Sequence, residues 1–217
     1  MKLASLISGG KDSLYASYLA SKKHKIICLI SIKPLKDDSY MFHYPNIDLV
    51  KKQAKVMNLP LIFKTTKAKK ELELKDLKLA IKEAIKKYNI EGIVSGALYS
   101  KYQFERIEKI CKELKIKSIT PLWQINSEKY LKNLIKNFKV IITGIAADGL
   151  NSSYLGRKLD NSLIKDLKKL NINYLGEGGE YESFVLNCPL FKHKLKIKSS
   201  KLKMTSKYSG QYIIKLE

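Results

Sequence analysis

Ser8-Gly9-Gly10-Lys11-Asp12-Ser13 lies between the apolar run Lys2-Leu3-Ala4-Ser5-Leu6-Ile7 and a second apolar run, Leu14-Tyr15-Ala16-Ser17-Tyr18-Leu19. An apolar strand, a turn with paired glycines and an apolar helix start together present backbone N–H groups to an anion. The glycines let the chain turn tightly and approach a ligand, the helix N-terminus adds partial positive charge, and Lys11 adds a full one. Phosphate is the anion that suits this arrangement. A Walker A loop would require glycine at position 5 and Ser or Thr at position 12, where this chain has Ser5 and Asp12. A dinucleotide fingerprint would require a third glycine near the helix start, and positions 11 to 15 hold none.

The segment instead resembles the SGGxDS loop of the ATP pyrophosphatases, which cleave ATP between its α and β phosphates and use the AMP half to activate an acceptor. The pattern after it is α/β. Ile26 to Ile32 reads as a buried parallel strand, Lys33 to Asn46 as a long loop, Ile47 to Met57 as a helix and Leu61 to Thr65 as a strand. The loop carries His43 within Tyr40-Met41-Phe42-His43-Tyr44-Pro45, and loops of that length in a compact domain are usually functional. A periodic helix follows, with Leu74, Leu77, Ile81, Ala84, Ile85 and Tyr88 on its apolar face. The strand Ile90 to Ser95 ends at Gly96. In an open sheet whose first strand carries the phosphate loop, that corner is expected beside Gly9-Gly10, with no side chain at Gly96 to obstruct a ligand. The next helix places Phe104, Ile107, Ile110, Cys111 and Leu114 on one face and Tyr102, Gln103 and Arg106 near the crevice.

Pro121 and the sole tryptophan, Trp123, mark an expected hinge, which divides the chain into a nucleotide half, residues 1–122, and a substrate half, residues 123–217. Ser127 to Asn137 is a helix with Tyr130, Leu131, Leu134, Ile135 and Phe138 as its buried stripe; a strand from Lys139 to Ile145 and a helix from Asn161 to Leu170 follow. Gly176-Glu177-Gly178-Gly179-Glu180-Tyr181-Glu182-Ser183 then precedes a strand, Phe184 to Leu186. Three carboxylates and three glycines in one loop make a poor packing device, because glycine costs chain entropy and clustered acids repel. They suit a cationic ligand or an amine; the plain alternative is a solvated acidic turn. The tail from His193 alternates like antiparallel strands with an expected turn at Ser209-Gly210.

The net charge of +22 comes almost wholly from lysine, dispersed along helix faces such as Lys75, Lys78, Lys82, Lys86 and Lys87. Such a pattern reads as a solvated face, so no stable nucleic-acid partner is expected. The two arginines, Arg106 and Arg157, stand out as planar bidentate donors in a chain that otherwise chooses lysine. No apolar run approaches the roughly 20 residues of a membrane span, and Met1-Lys2 leads straight into a strand, so neither a membrane segment nor a signal peptide is expected. Cys28, Cys111 and Cys188 are odd in number and lack C-x-x-C spacing, which fits a reducing cytoplasm and neither a disulfide framework nor a zinc site.

With both loops placed, nearly the whole chain resembles the diphthine–ammonia ligase family of ATP pyrophosphatases. The matching segments are Ser8 to Ser13, Met41-Phe42-His43 with Pro45-Asn46, Ser95-Gly96 with Tyr102-Gln103 and Arg106-Ile107-Glu108, Pro121-Leu122-Trp123, Ala146-Ala147 with Gly149-Leu150, Leu155-Gly156-Arg157, and Gly176 to Glu182. Tyr44 stands where the family usually has threonine, and Phe104 where it has a basic residue. The resemblance implies an open, mainly parallel sheet of the adenine nucleotide alpha-hydrolase-like (HUP) type with a smaller C-terminal α+β domain. It further implies amidation of diphthine on translation elongation factor 2 with ATP, Mg²⁺ and ammonium, through an acyl-adenylate, releasing AMP and pyrophosphate.

On this reading Ser8, Gly9, Gly10, Lys11, Asp12, Ser13, Ser31, Ile32, Ser95 and Gly96 bind ATP, with Asp12 the candidate Mg²⁺ ligand. Lys11, Asp12, Glu177, Glu180 and Glu182 serve the chemistry, the acids handling ammonium or the trimethylammonium group of diphthine in an order the sequence leaves open. His43, Tyr102, Gln103, Arg106, Arg157, Gly178, Gly179 and Tyr181 contact the acceptor. Both Lys11 and Asp12 are expected to be exposed at the crevice. Free ammonium is the expected nitrogen source, since no cysteine is placed as a glutaminase nucleophile. The rivals are a transfer-RNA-modifying ATP pyrophosphatase and a nucleotide sensor without turnover; oligomeric state is left open.

Overall fold

A computed structural model of the chain describes residues 1–35, 46–67 and 72–217; His43, Tyr44 and most of the long loop lie outside them. The N-terminal half alternates strand and helix, the order that builds a parallel sheet because each crossover must return over a face. Its elements are β1 (Lys2–Leu6), α1 (Lys11–Ser21), β2 (Lys25–Pro34), a 3₁₀ turn (Ile47–Leu49) running into α2 (Val50–Met57), β3 (Leu61–Thr66), α3 (Leu72–Tyr88), β4 (Gly92–Val94), α4 (Lys101–Glu113) and β5 (Lys117–Ile119). The strands pair in the order β3-β2-β1-β4-β5, all parallel. Winding runs outward from β1 through β2 to β3, then restarts on the other side with β4. The crevice outside the carboxyl ends of β1 and β4 is therefore the switch point at which such sheets take ligands.

The C-terminal half contains α5 (Ser127–Asn137), β6 (Lys139–Ala146), a 3₁₀ turn (Ser152–Tyr154), α6 (Asn161–Leu167), β7 (Tyr181–Asn187), β8 (Ile197–Met204) and β9 (Ser209–Leu216). Its four strands form a second, antiparallel sheet in the order β7-β6-β9-β8. The architecture is thus the expected parallel α/β sheet with a smaller α+β part.

The two halves share one apolar core. It runs from Leu3, Leu14 and Tyr15 through Leu98 and Leu122 to Tyr130, Leu134 and Tyr181. The expected hinge is accordingly a tied turn: Leu122 is fully buried, Trp123 N donates to Thr120 O, and Gln124 N donates to Leu98 O at 2.9 Å. A second core, between the sheet and α3 and α4, gathers Ile30, Ile32, Leu77, Ile81, Ile107 and Cys111.

Several expectations are corrected. Phe104 leaves the apolar face of α4 and stacks on Trp123 with ring centroids 4.2 Å apart. The β8–β9 turn is Thr205 to Tyr208, and Ser209-Gly210 opens β9, where the missing side chain of Gly210 admits Met204 from across the hairpin. α6 stops at Leu167 because the chain tightens into i→i−3 bonds, Lys169 N to Asp166 O and Leu170 N to Leu167 O.

Candidate active site

The phosphate loop leaves β1 at Ile7, whose N–H still bonds Ile30 O, and turns through Gly9 at φ +88°. A side chain at Gly9 would be strained there and would also press on Phe184 of β7. Ser13 staples the loop shut: its hydroxyl accepts from Ser8 N at 3.2 Å and donates to Gly10 O at 3.1 Å. β7 then closes on the loop from the other half. Val185 N donates to Gly9 O at 3.0 Å, and Lys11 N donates to Ser183 Oγ at 3.2 Å.

Gln53 fastens the same junction from α2. It is fully buried, and its Nε2 donates to Gly9 O at 3.1 Å and to Val185 O at 2.9 Å. Gln53 was not among the residues singled out in the sequence. It stands on the apolar stripe of α2 with Val50, Ala54 and Met57, and a polar residue on a buried stripe is a readable signal.

Lys11 and Asp12 occupy the first helical positions of α1. Contrary to expectation Lys11 is buried, with its Nζ 2.8 Å from Asp12 Oδ2 and 3.1 Å from Oδ1 and lying over the ring of Tyr181. Burial alone would lower its pKa, but Asp12, Tyr181 and Glu177 outweigh that and carry it above the ordinary lysine value. Asp12 takes a further bond from the buried Tyr130 hydroxyl, 2.5 Å from Oδ1. Burial, then the Asp12 charge, raises the Tyr130 phenol well above its usual range, so it stays a donor. In the sequence Tyr130 belongs to the buried stripe of α5, because a tyrosine on an apolar stripe looks like any other large residue there.

The cleft above this cluster is lined by two kinds of side chain. Leu6, Ile7, Ile30, Ile32, Leu77 and Ile107 are apolar. Ser8, Lys11, Asp12, Glu177, Glu182 and Ser183 are polar or charged. Apolar walls together with a cationic helix N-terminus suit a ligand that combines an apolar ring with an anionic group. Ser95, Gly96 and Gln103 line the cleft as well. Gly96 works differently from expectation: a Cβ there would stand 2.7 Å from Ser13 N, so the missing side chain admits the start of α1 rather than a ligand.

The acidic loop divides. Glu177 and Glu182 line the cleft, and Glu177 Oε2 accepts from Tyr99 N at 3.3 Å. Glu180 turns back on its own loop, accepting from Gly178 N at 2.8 Å and from Asn173 N at 3.3 Å. Gly178, Gly179 and Glu180 do not line the cleft. Tyr181 does, but it is buried, its hydroxyl donates to Tyr174 O, and burial pushes its pKa up to about 12.

Ser31 is buried and does not line the cleft, whereas Ile30 and Ile32 on either side of it do. The Arg106 guanidinium lies over the Tyr102 ring, 3.4 Å from its centroid, and neither residue lines the cleft. Arg157 is elsewhere, paired with Asp166 of α6 at 2.9 Å.

Sheet order, loop and cleft define an α/β protein whose first helix turns its N-terminus, with Lys11, into a cleft at the switch point of its sheet. The model of the Diphthamide synthase N-terminal domain matches residues 1–118, and that of the Diphthamide synthase C-terminal domain matches residues 126–216. The chain therefore belongs to the diphthamide synthase family. Among its relatives, the diphthine–ammonia ligase of Homo sapiens is 37% identical over 227 residues, covering 93% of this chain and 85% of that one. That of Bos taurus is 36% identical over 226 residues, with the same coverage. These relatives are ligases that form a C–N bond. A looser likeness, at a TM-score of 0.43 and 20% identity over 69% of this chain and 82% of the other, is to a predicted subunit of tRNA methyltransferase from Methanocaldococcus jannaschii.

Proposed function

We propose that this chain amidates diphthine on translation elongation factor 2, using ATP and ammonium and releasing AMP and pyrophosphate. The observation that carries the reading is the junction itself. The strand that follows the acidic loop is bonded directly to the phosphate loop, Val185 N to Gly9 O and Lys11 N to Ser183 Oγ, so acids and phosphate site form one cleft. A nucleotide sensor has no evident need for carboxylates held there.

A carboxylate does not react with ammonia until one of its oxygens can leave. The acceptor carboxylate attacks the α-phosphorus and pyrophosphate departs with the bonding electron pair; ammonia then attacks the acyl carbon and AMP departs. The buried Lys11 ammonium and the α1 N-terminus stabilise charge that builds on the phosphates. Glu177 and Glu182 take the proton from ammonium and face the cationic acceptor. Residues 1–122 supply the phosphate loop that holds ATP, and residues 123–217 bring Glu177 and Glu182 to the acceptor's side of the same cleft.

Asp12 fits a role beside Mg²⁺. Its two oxygens accept three hydrogen bonds from Lys11 and Tyr130, which leaves acceptor capacity on the carboxylate. Among the described residues no group of three His, Cys, Asp or Glu could cage a metal unaided, as suits an ion that takes most of its ligands from polyphosphate and water. Mg²⁺ bound there supplies positive charge to the phosphate oxygens.

Free ammonium serves as nitrogen source, since all three cysteines are buried, and burial raises each thiol to about 12. The test follows AMP and pyrophosphate formation with acceptor and ammonium each present or withheld. Release that depends on both supports the reading; release indifferent to either overturns it.

A further inference from the structure

Tyr99, Phe104 and Trp123 are large aromatic residues that, among the described residues, belong to none of the apolar clusters of the fold. Phe104 and Trp123 are half-buried and stack on each other at 20° between planes, and Tyr99 is 43% exposed. All three sit where the β4–α4 corner meets the turn after β5, joined by the Gln124 N to Leu98 O bond. Their neighbours Ala97, Ser100 and Gln103 line the cleft. Ser100, Gln103 and Ile107 line the cleft from the start of α4, and Phe104 follows Gln103 on the same turn with its ring against Trp123 at the rim of the cleft.

Tyr99 is held firmly: its hydroxyl donates to Ile125 O and also meets Ser127 Oγ, while its N–H donates to Glu177 Oε2. Rigid aromatic faces beside a carboxylate are the chemistry that recognises a quaternary ammonium, which cannot donate hydrogen bonds and is read by its charge and its methyl surface. The aromatic ring of the acidic loop is committed elsewhere, since Lys11 lies over Tyr181.

We propose that Tyr99, Phe104 and Trp123, with Glu177, form the subsite for the quaternary ammonium group of the acceptor. The inference rests on the function proposed above, because diphthine carries that group beside the carboxylate to be amidated. It replaces Tyr181 in this role and gives a physical use to Phe104, which departs from the family pattern.

Trp123 is the sole tryptophan, so its fluorescence reports the subsite directly. Choline is titrated into the full chain against its uncharged tert-butyl analogue, with sodium chloride matching ionic strength. Choline is expected to give a saturable change that the analogue does not, and Tyr99→Leu and Phe104→Leu are each expected to weaken it by on the order of tenfold. In steady-state amidation the same variants are expected to raise the KM for the protein acceptor, with ATP affinity near wild type as the control for folding. No saturable response, equal response to choline and its analogue, or variants with unchanged choline affinity and acceptor KM would each overturn the subsite. Wild-type protein that binds choline through these rings but never forms the amide keeps the subsite and removes the function.

Discussion

Lys11, Asp12 and Tyr130 are one charged cluster, and substitutions in it separate binding from scaffold. Lys11→Ala removes a buried cation from a carboxylate that is itself a quarter exposed. It is predicted to abolish AMP formation and to cost about 3 kcal/mol, the lower end for a broken buried pair. Lys11→Met keeps the apolar stem and is predicted to be equally inactive while losing less stability; urea unfolding beside an AMP assay reads both. A Lys11→Met protein with near-normal turnover would remove Lys11 from the chemistry. Tyr130→Phe deletes only the donor to Asp12, and is predicted to slow turnover by about tenfold to a hundredfold through a misplaced carboxylate. Gln53→Leu leaves Gly9 O its bond from Val185 N but strips Val185 O of a buried donor. It is predicted to lose about 1–3 kcal/mol and to raise the KM for ATP. These side chains also mark the limit of what the sequence tells. The phosphate loop is legible because its glycines and charge are contiguous, whereas the burial of Lys11 depends on Tyr181, which is far away in the chain.

At the scale of the element, the acidic loop is two devices. Glu177 and Glu182 face the cleft, and each Glu→Gln variant is predicted to keep ATP affinity, with amidation falling roughly 10²-fold to 10⁴-fold in at least one. Glu180 braces the loop through two backbone N–H groups, so Glu180→Gln is predicted to retain most activity and to lower thermal stability modestly. Calorimetry of ATP binding paired with mass spectrometry of the acceptor checks all three. A Glu180→Gln variant as inactive as the worst of the others would return Glu180 to the chemistry. The sequence showed that this loop concentrates acids but not which acid turns inward, because that depends on where β7 begins. α5 is the contrary case: its apolar stripe is so regular that its span, Ser127–Asn137, was legible to the residue. The turn between β8 and β9 was not, since Thr205 to Tyr208 carries neither glycine nor proline, while the glycine that drew attention serves a close approach inside β9.

For the whole molecule, burial sets the pH response. The three thiols are raised from 9.0 to about 12, and Tyr181 from 10.0 to about 12. Below about pH 8 each of these groups is protonated both folded and unfolded, so none costs stability; from about 8 to 12 the unfolded chain ionises first and stability falls. The predicted Tm is therefore unaffected by these groups from neutrality to about pH 8 and declines above it, and a Tm that rises from pH 9 to 11 would contradict the burial. The lysine excess is predicted to give only weak binding to duplex DNA or transfer RNA, lost steeply with added salt. A tight, salt-resistant complex would favour a nucleic-acid substrate. On the proposed function, phosphate loop and acidic loop serve one reaction across a shared core. The experiment is to incubate the full chain with ATP, Mg²⁺, ammonium and diphthine-bearing elongation factor 2, and to count AMP against amide. One AMP is expected per amide, and neither product when acceptor or ammonium is withheld. AMP released without amide, or amide formed without AMP, would contradict that function.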